Sequence, residues 1–146
     1  MNERGAAVKG RHSCWLAPAA FLLDRFTKLL ACRLLTPGRH IEAIPGLFRF
    51  TLARNTGAAF SMLAGRQTLL LCITGLAIAG MILFQVFKGG KEPPLFQAAL
   101  WLLIGGAAGN FLDRLVYGSV VDFIETIFIR FPIFNVADVC ITVSFG

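Results

Sequence analysis

Two aspartates, Asp122 and Asp138, lie just outside strongly apolar segments of the sequence. A carboxylate near lipid is costly to ionise, so such a residue usually faces a polar cavity, pairs with another group or does chemistry. Two carboxyl groups that meet can activate water, because one accepts a proton from it while the protonated partner donates to a carbonyl oxygen. The two residues therefore predict a membrane-embedded hydrolase.

The two aspartates have different local surroundings. Asn135 is predicted to be the N-cap of the last helix, which puts Asp138 in its first turn, where negative charge is favoured. Asp122 follows two β-branched residues and has no comparable help. We expect Asp138 to be the more readily ionised partner and Asp122 the more readily protonated one. If the two carboxyl groups share a proton, the measured pKa values describe the pair and not either residue alone.

The composition is that of a membrane protein. The chain has 146 residues, of which 56% are hydrophobic and 15% charged, and this is too apolar for a soluble domain. The net charge is +6, but the basic residues are dispersed between apolar runs and form no continuous stripe. We therefore expect anionic membrane lipids as the counter-charge, and no nucleic acid.

The histidines and cysteines do not suggest a metal or another cofactor. His12 and His40 have no partner at metal-ligand spacing. The four cysteines form no C-x-x-C pair and are predicted to be structural. We expect neither a metal nor a cofactor.

Four membrane spans are predicted within a single domain, residues 1–146. The uncharged runs 68–87 and 95–112 are long enough for helices that cross a hydrocarbon core of about 30 Å, and the prolines between them predict an antiparallel hairpin. Residues 136–146 would cross only about half the core, so this span is either truncated or dips into the membrane. The first span, 13–35, carries charges.

The charged residues of the first span allow two interpretations. Asp24 and Lys28 are four residues apart and can pair on one helical face. They either mark a helix end at the interface, with snorkelling basic side chains, or support the site. A cleaved signal peptide is disfavoured, because no suitable small-residue cleavage site follows and Asp24 interrupts the apolar run.

Several polar residues near the third span also have open roles. Asp113 is predicted to form an ion pair at a helix end, and Arg114 to face substrate or orient an aspartate. Asn55 and Asn110 either make turns and interhelical hydrogen bonds or contact substrate. Two glycines of this span, Gly105 and Gly109, share one face and predict a close helix contact.

Two segments, 44–60 and 115–134, have β-like character and are predicted to lie outside the lipid, as a small sheet-like platform on one membrane face. Basic residues at the N-terminus and at Lys88 and Lys91 indicate that both regions are cytoplasmic, although the first external loop also carries five arginines.

From about Asp24 onward the chain closely resembles the lipoprotein signal peptidases, or signal peptidase II. Five sequence blocks match in order: LDRFTK (23–28), RNTGAAFS (54–61), GGAAGNFLDR (105–114), GSVVDF (118–123) and FNVAD (134–138). The resemblance implies an integral membrane, mainly α fold: a four-helix transmembrane bundle of the bacterial inner membrane with cytoplasmic termini and a small periplasmic β-cradle. It also implies an aspartic endopeptidase that cuts diacylglyceryl-modified prolipoproteins just before the lipid-bearing cysteine.

Carried over residue by residue, the resemblance assigns the catalytic pair to Asp122 and Asp138, with the active site on the periplasmic side. The implied supporting residues are Asp24, Lys28, Asn55, Asn110, Arg114 and Asn135. The chain departs from the family in lacking the end of the fourth helix and the basic tail after it. We expect a monomer that contacts prolipoprotein substrates and membrane lipids.

The alternative function is non-enzymatic, as a small ion or proton carrier or a scaffold subunit. A carrier would be expected to have acids in mid-span, internal repeats or broken helices. Here the two uncharged runs lack acids, and the acids cluster at one membrane face. This distribution favours a processing enzyme at the membrane surface.

Overall fold

The computed structural model describes residues 13–57, 63 and 65–146. The basic residues of the N-terminus, His12 and the end of the predicted 44–60 segment lie outside this part of the chain. The described residues form four α-helices: α1 (Leu16–Leu34), α2 (Gln67–Phe87), α3 (Pro94–Tyr117) and α4 (Val136–Ser144). They also form three β-strands: β1 (His40–Ile44), β2 (Phe48–Asn55) and β3 (Val120–Thr126).

Within the described residues, α2 and α3 are the helices long and apolar enough to cross a membrane. Helix α1 has 19 residues but carries three charges near its middle, and α4 has 9 residues. A short 3-10 turn, Gly89–Lys91, joins α2 to α3. Pro94 begins α3, where its missing N–H is not needed.

Helix α3 extends five residues beyond the predicted end of its span at 112, and this carries Asp113 and Arg114 inside the helix. It can continue because Asp113 is buried and paired with cations, so the charge does not force the chain out of the helix. The helix ends at Gly118, which adopts a left-handed conformation with φ 67° that glycine reaches without a Cβ clash. Asn110, Asp113 and Arg114 therefore project from one continuous helix.

Glycines of α3 allow two other helices to approach it closely. A Cβ atom on Gly105 would overlap the backbone oxygen of Ala17 in α1. A Cβ atom on Gly106, which lies on another face, would stand 2.8 Å from the backbone oxygen of Ala137 in α4. The predicted close contact at Gly105 is confirmed, and α3 is the central helix against which α1 and α4 pack.

The three strands form one antiparallel sheet in the order β1-β2-β3. Strand β1 begins four residues before the predicted 44–60 segment. The sequence did not reveal it because all five of its residues are exposed and show no buried face. In the pairing of β2 with β3, Asn55 is opposite Val120 and Ala53 is opposite Asp122. Because side chains alternate between faces, Asn55 and Asp122 share one face of the sheet.

The interior of the helical part is polar and its outside is apolar. The largest fully buried side chains are those of Asn135, Asp24 and Asp113. Many leucines and phenylalanines of the helices are exposed on the outer surface. A protein surrounded by lipid has this arrangement, because lipid solvates apolar side chains and charged groups turn inward. A small apolar cluster of Ala31, Leu35 and Phe123 joins α1 to the sheet.

The topology brings several element ends together. The sheet follows the C-terminal ends of α1 and α3, and α4 begins beside it. The connection between α2 and α3 lies at the other end of these helices. Asp122 and Asp138, on β3 and α4, are thus at the sheet end of the helices.

Candidate active site

Asp122 lies in β3 and is almost completely buried. Its Oδ1 atom accepts a hydrogen bond of 2.7 Å from the side-chain Nδ2 of Asn135. The side chain of Asn55, on the same face of the sheet, also hydrogen-bonds to this carboxyl group. Two amide side chains therefore fix the orientation of Asp122.

Asp138 lies in the first turn of α4 and forms a capping box with Asn135. The backbone N of Asp138 donates to Oδ1 of Asn135 at 3.0 Å, and Oδ2 of Asp138 accepts from the backbone N of Asn135 at 3.1 Å. The predicted N-cap role of Asn135 is thus confirmed. The other carboxyl oxygen, Oδ1, accepts from Nδ2 of Asn110 at 2.8 Å.

Asn135 contacts both aspartates, with its side chain on Asp122 and its backbone on Asp138. It reaches this position because residues 127–134 fold back and Phe134 pairs with Ile124 of β3. Pro132, within this segment, prevents helix from running through it. One residue therefore links the strand that carries the first carboxyl group to the helix that carries the second.

The two carboxyl groups line one cavity of about 250 Å³. Its polar lining comes from Asn55, Asn110, Arg114, Asp122, Asp138 and Thr142. Much of the remaining wall is apolar and comes from Phe131, Pro132, Ile133, Phe134 and Ile141. Paired carboxyl groups beside an apolar wall suit hydrolysis of a peptide bond flanked by apolar groups.

Burial and charge change the acidity of Asp122. Burial of the carboxyl group and, second, the nearby charge of Asp138 together raise the pKa of Asp122 to about 7. The hydrogen bonds from Asn135 and Asn55, and the charge of Lys28, act in the opposite direction. Asp122 therefore holds a proton up to near neutral pH, as expected for the more readily protonated partner.

Arg114 lines the cavity and connects α3 to the chain that follows β2. Its Nη2 atom donates to the backbone oxygen of Gly57 at 2.9 Å, and Nη1 lies 3.5 Å from the backbone oxygen of Asn110. Nε of Arg114 is buried and makes no hydrogen bond within the described residues. The guanidinium group thus ties α3 to the chain after β2 at the wall of the cavity.

Asp24 and Lys28 lie beneath the cavity and form the ion pair that their spacing predicts. Nζ of Lys28 lies 2.9 Å from Oδ2 of Asp24 and donates to Oδ1 of Asn110 at 2.8 Å. Both side chains are buried within the protein, so the interpretation of Lys28 as a snorkelling residue at the interface is wrong. The other predicted supporting residues line the cavity or contact a carboxyl group of Asp122 or Asp138. Asp24 and Lys28 do neither.

Two contributions to the site were not predicted. The predicted ion pair of Asp113 is present, but its partners are Arg25 and Lys28 of α1 instead of a neighbour at the helix end. Arg25 and Asp113 are 88 positions apart, so no local spacing reveals the contact. The apolar wall formed by residues 131–134 was predicted only as part of the β-like segment 115–134. Its run of aromatic and aliphatic residues was the available signal. His40, at the start of β1, is exposed.

A mainly helical membrane protein with two carboxyl groups in one cavity has the arrangement of an aspartic peptidase. Comparisons with known proteins agree with this class. Residues 16–146 match the family described as "Signal peptidase (SPase) II". The chain is 40% identical over 131 residues to the lipoprotein signal peptidase of Brevibacillus brevis, covering 90% of this chain and 87% of that protein. It is 41% identical over 133 residues to the lipoprotein signal peptidase of Symbiobacterium thermophilum, with the same two coverages.

Two solved structures are similar in fold as well as sequence. Both are described as bacterial membrane enzymes, determined by the in meso method at 2.3 and 1.9 Å resolution. Each is 36% identical to this chain and covers 92% of it, with TM-scores of 0.84 and 0.82; the chain covers 82% and 87% of them. The chain belongs to the signal peptidase II family. It is a bacterial membrane enzyme, an aspartic-type endopeptidase that processes prolipoproteins.

Proposed function

We propose that Asp122 and Asp138 are the catalytic pair of this enzyme, and that they hydrolyse diacylglyceryl-modified prolipoproteins just before the lipid-bearing cysteine. The observation that carries the proposal is that both carboxyl groups line one cavity and are held by the same residue, Asn135. One of them keeps a proton near neutral pH, as a paired mechanism requires.

The first step adds water to the scissile carbonyl. The carboxylate of Asp138 accepts a proton from water while the water oxygen attacks the carbonyl carbon, and protonated Asp122 donates its proton to the carbonyl oxygen. The product is a neutral gem-diol, with Asp138 now protonated and Asp122 ionised. The capping-box bond and the bond from Asn110 hold Asp138 ready for this exchange.

The second step breaks the carbon–nitrogen bond. Asp138 gives its proton to the nitrogen of the lipid-bearing cysteine, and Asp122 takes back a proton from a gem-diol hydroxyl as the new carboxyl group forms. The leaving group is the free amine of the lipidated cysteine. Both aspartates then have their starting protonation, so the cycle needs neither a covalent intermediate nor a metal.

The other residues at the cavity have supporting roles in this proposal. Asn55, Asn110 and Arg114 contact the substrate backbone or orient the aspartates, since each presents a polar side chain to the cavity. Asp24 and Lys28 act from beneath, through contacts with α4 and Asn110.

In the membrane, we expect all four helices to lie in the bilayer and the chain to work as a single monomeric unit. The cavity is at the end of the helices opposite the connection that carries Lys88 and Lys91. Basic flanks remain cytoplasmic, which assigns the cavity and the three-stranded cradle to the periplasmic side and the N-terminus to the cytoplasm. The cavity then opens at the lipid boundary, where the diacylglyceryl group of a substrate would stay in the bilayer.

The test is cleavage of a synthetic prolipoprotein by purified enzyme in detergent, with products identified by mass spectrometry. The lipid-modified substrate is compared with the same peptide without lipid. Wild type is compared with Asp122→Asn, Asp138→Asn and a matched control, Glu125→Gln, which changes a carboxylate of β3 that pairs with Arg49 instead of lining the cavity.

We expect wild type and Glu125→Gln to cut the modified substrate immediately before the cysteine, and both cavity variants to be inactive although folded. Cleavage by a folded Asp122→Asn or Asp138→Asn variant at the wild-type rate would overturn the catalytic assignment. Equal cleavage of the unmodified peptide would overturn the assigned substrate.

A further inference from the structure

We propose that Asp24 and Asp113 are a matched pair of positioning residues, each of which holds the backbone immediately before one catalytic aspartate, and that Lys28 fixes the two relative to each other. The inference rests on the proposed function, because it concerns how Asp122 and Asp138 are brought to one place.

Asp113 holds the strand that carries Asp122. Its Oδ2 atom accepts a hydrogen bond of 3.1 Å from the backbone N of Val121, the residue before Asp122. Asp113 is fully buried in the central helix α3, and its Oδ1 atom accepts from Nη2 of Arg25. The backbone before Asp122 is thus tied to a rigid helix.

Asp24 holds the helix that carries Asp138 in the same way. Its Oδ1 atom accepts a hydrogen bond of 3.0 Å from the backbone N of Ala137, the residue before Asp138. The carboxyl group can reach α4 because Gly109 has no side chain, and a Cβ atom there would overlap Oδ2 of Asp24. Ala137 is completely buried at this contact.

Lys28 joins the two anchors. Its Nζ atom lies 2.9 Å from Oδ2 of Asp24 and 2.9 Å from Oδ2 of Asp113. The same atom donates to Asn110, which in turn donates to Asp138. One ammonium group therefore sets the spacing between the anchor of the strand and the anchor of the helix.

A network of this kind is costly as a device for stability alone. Buried ion pairs often stabilise a fold no better than apolar residues of the same volume, since each charge loses its hydration. Catalysis, in contrast, depends steeply on geometry, and a displacement of about 1 Å can lower a rate on the order of 100-fold. Two buried carboxylates each accept a hydrogen bond from the backbone N–H just before one catalytic aspartate. This arrangement indicates that they position the two catalytic aspartates.

The test measures kcat, KM and the pH dependence of kcat in Asp113→Asn, Asp113→Ala, Asp24→Asn and Asp24→Ala, per folded enzyme molecule. The alanine variants remove both acceptor oxygens, while asparagine keeps one. We expect kcat to fall on the order of 100-fold for alanine and several-fold for asparagine, with KM within about twofold of wild type and the alkaline limb of the pH profile displaced. Glu125→Ala, which removes an ion pair from β3 outside the cavity, is the matched control.

Gly109→Ala extends the test without changing a charged group. It is expected to displace Asp24 and to lower kcat as the Asp24 variants do. If the folded asparagine variants and Gly109→Ala keep the wild-type kcat and pH profile, and only the yield of folded protein falls, the positioning role is overturned. Activity in Asp122→Asn or Asp138→Asn would instead overturn the proposed catalytic pair, so the two failures are distinguishable.

Discussion

Asp122 combines burial with a neighbouring negative charge, and both raise its pKa, to about 7. The hydrogen bonds from Asn135 and Asn55 favour the ionised form and limit this rise. The carboxyl group is consequently a proton donor at neutral pH that also loses its proton readily. A general acid works best when its pKa lies near the working pH.

This pKa predicts the alkaline side of the pH profile. Because the reaction needs protonated Asp122, kcat/KM should fall about tenfold per pH unit above the pKa near 7. Asn55→Leu removes a hydrogen bond that lowers the pKa of Asp122, so the limb should move to higher pH. Cleavage rates from pH 5 to 9 test both statements. A limb that moves to lower pH in Asn55→Leu would contradict them.

The same pKa predicts a stability effect. Since the folded state holds the Asp122 proton up to a higher pH than the unfolded state, whose ordinary value is 3.8, folded wild type should lose stability as pH rises between about 4 and 7. Asp122→Asn has no charge to bury and should be more stable by on the order of a few kcal/mol at pH 8. Thermal unfolding in detergent at pH 4 and pH 8 measures the difference, which should be small at the lower pH. A variant less stable than wild type at pH 8 would contradict the argument.

At the scale of elements, α3 determines how the site is assembled. It supplies Asn110 and Arg114 to the cavity, and its glycines let α1 and α4 approach closely enough for their polar side chains to meet. Strand β3 and helix α4 then bring one aspartate each. The geometry of the carboxyl pair therefore depends on helix contacts that lie below the cavity.

Gly105→Ala tests this dependence. A methyl group at this position meets the backbone of Ala17, which cannot move without α1, so we expect destabilisation of about 1–3 kcal/mol. Gly80→Ala is the matched control, because a Cβ atom on Gly80 of α2 meets nothing within 4 Å. Thermal unfolding of both variants in detergent gives the comparison. Equal effects at the two positions would show that the close contact of α1 with α3 is unimportant.

Features of the fold and the site could be predicted from the sequence where they depend on residues close together in the chain. The Asn135 cap and the Asp24–Lys28 pair follow from spacings of three and four residues, and both are present. The partner of Arg25 could not be predicted, since Asp113 is 88 positions away. Strand β1 was also missed, because its five residues are too few for a clear alternating pattern and all of them are exposed.

At the scale of the whole molecule, the helices bury the charged residues Asp24, Lys28 and Asp113 and expose many apolar side chains, as a lipid environment requires. Composition predicted the membrane environment, and the paired acids predicted the chemistry. The sequence did not predict that charges of the first span would meet those of the third, because that depends on how the helices pack.

The membrane orientation gives a further prediction. In a variant without the natural cysteines, Glu42→Cys, exposed in β1, should react with a membrane-impermeant thiol reagent that is applied to the outer face of the sealed cell membrane. Lys91→Cys, in the connection between α2 and α3, should react only after this membrane is opened. The reverse pattern would assign the cavity to the cytoplasmic side.

The most direct test of the central claim, that Asp122 and Asp138 act as one unit, is the single-turnover cleavage rate of Asp122→Asn, Asp138→Asn and the double variant, each shown to be folded. Groups that act as a unit are strongly non-additive, so each single change should lower the rate at least about 1,000-fold and the double variant should be no slower than the singles. Losses that multiply in the double variant, or a single variant that keeps most of its activity, would contradict the shared site.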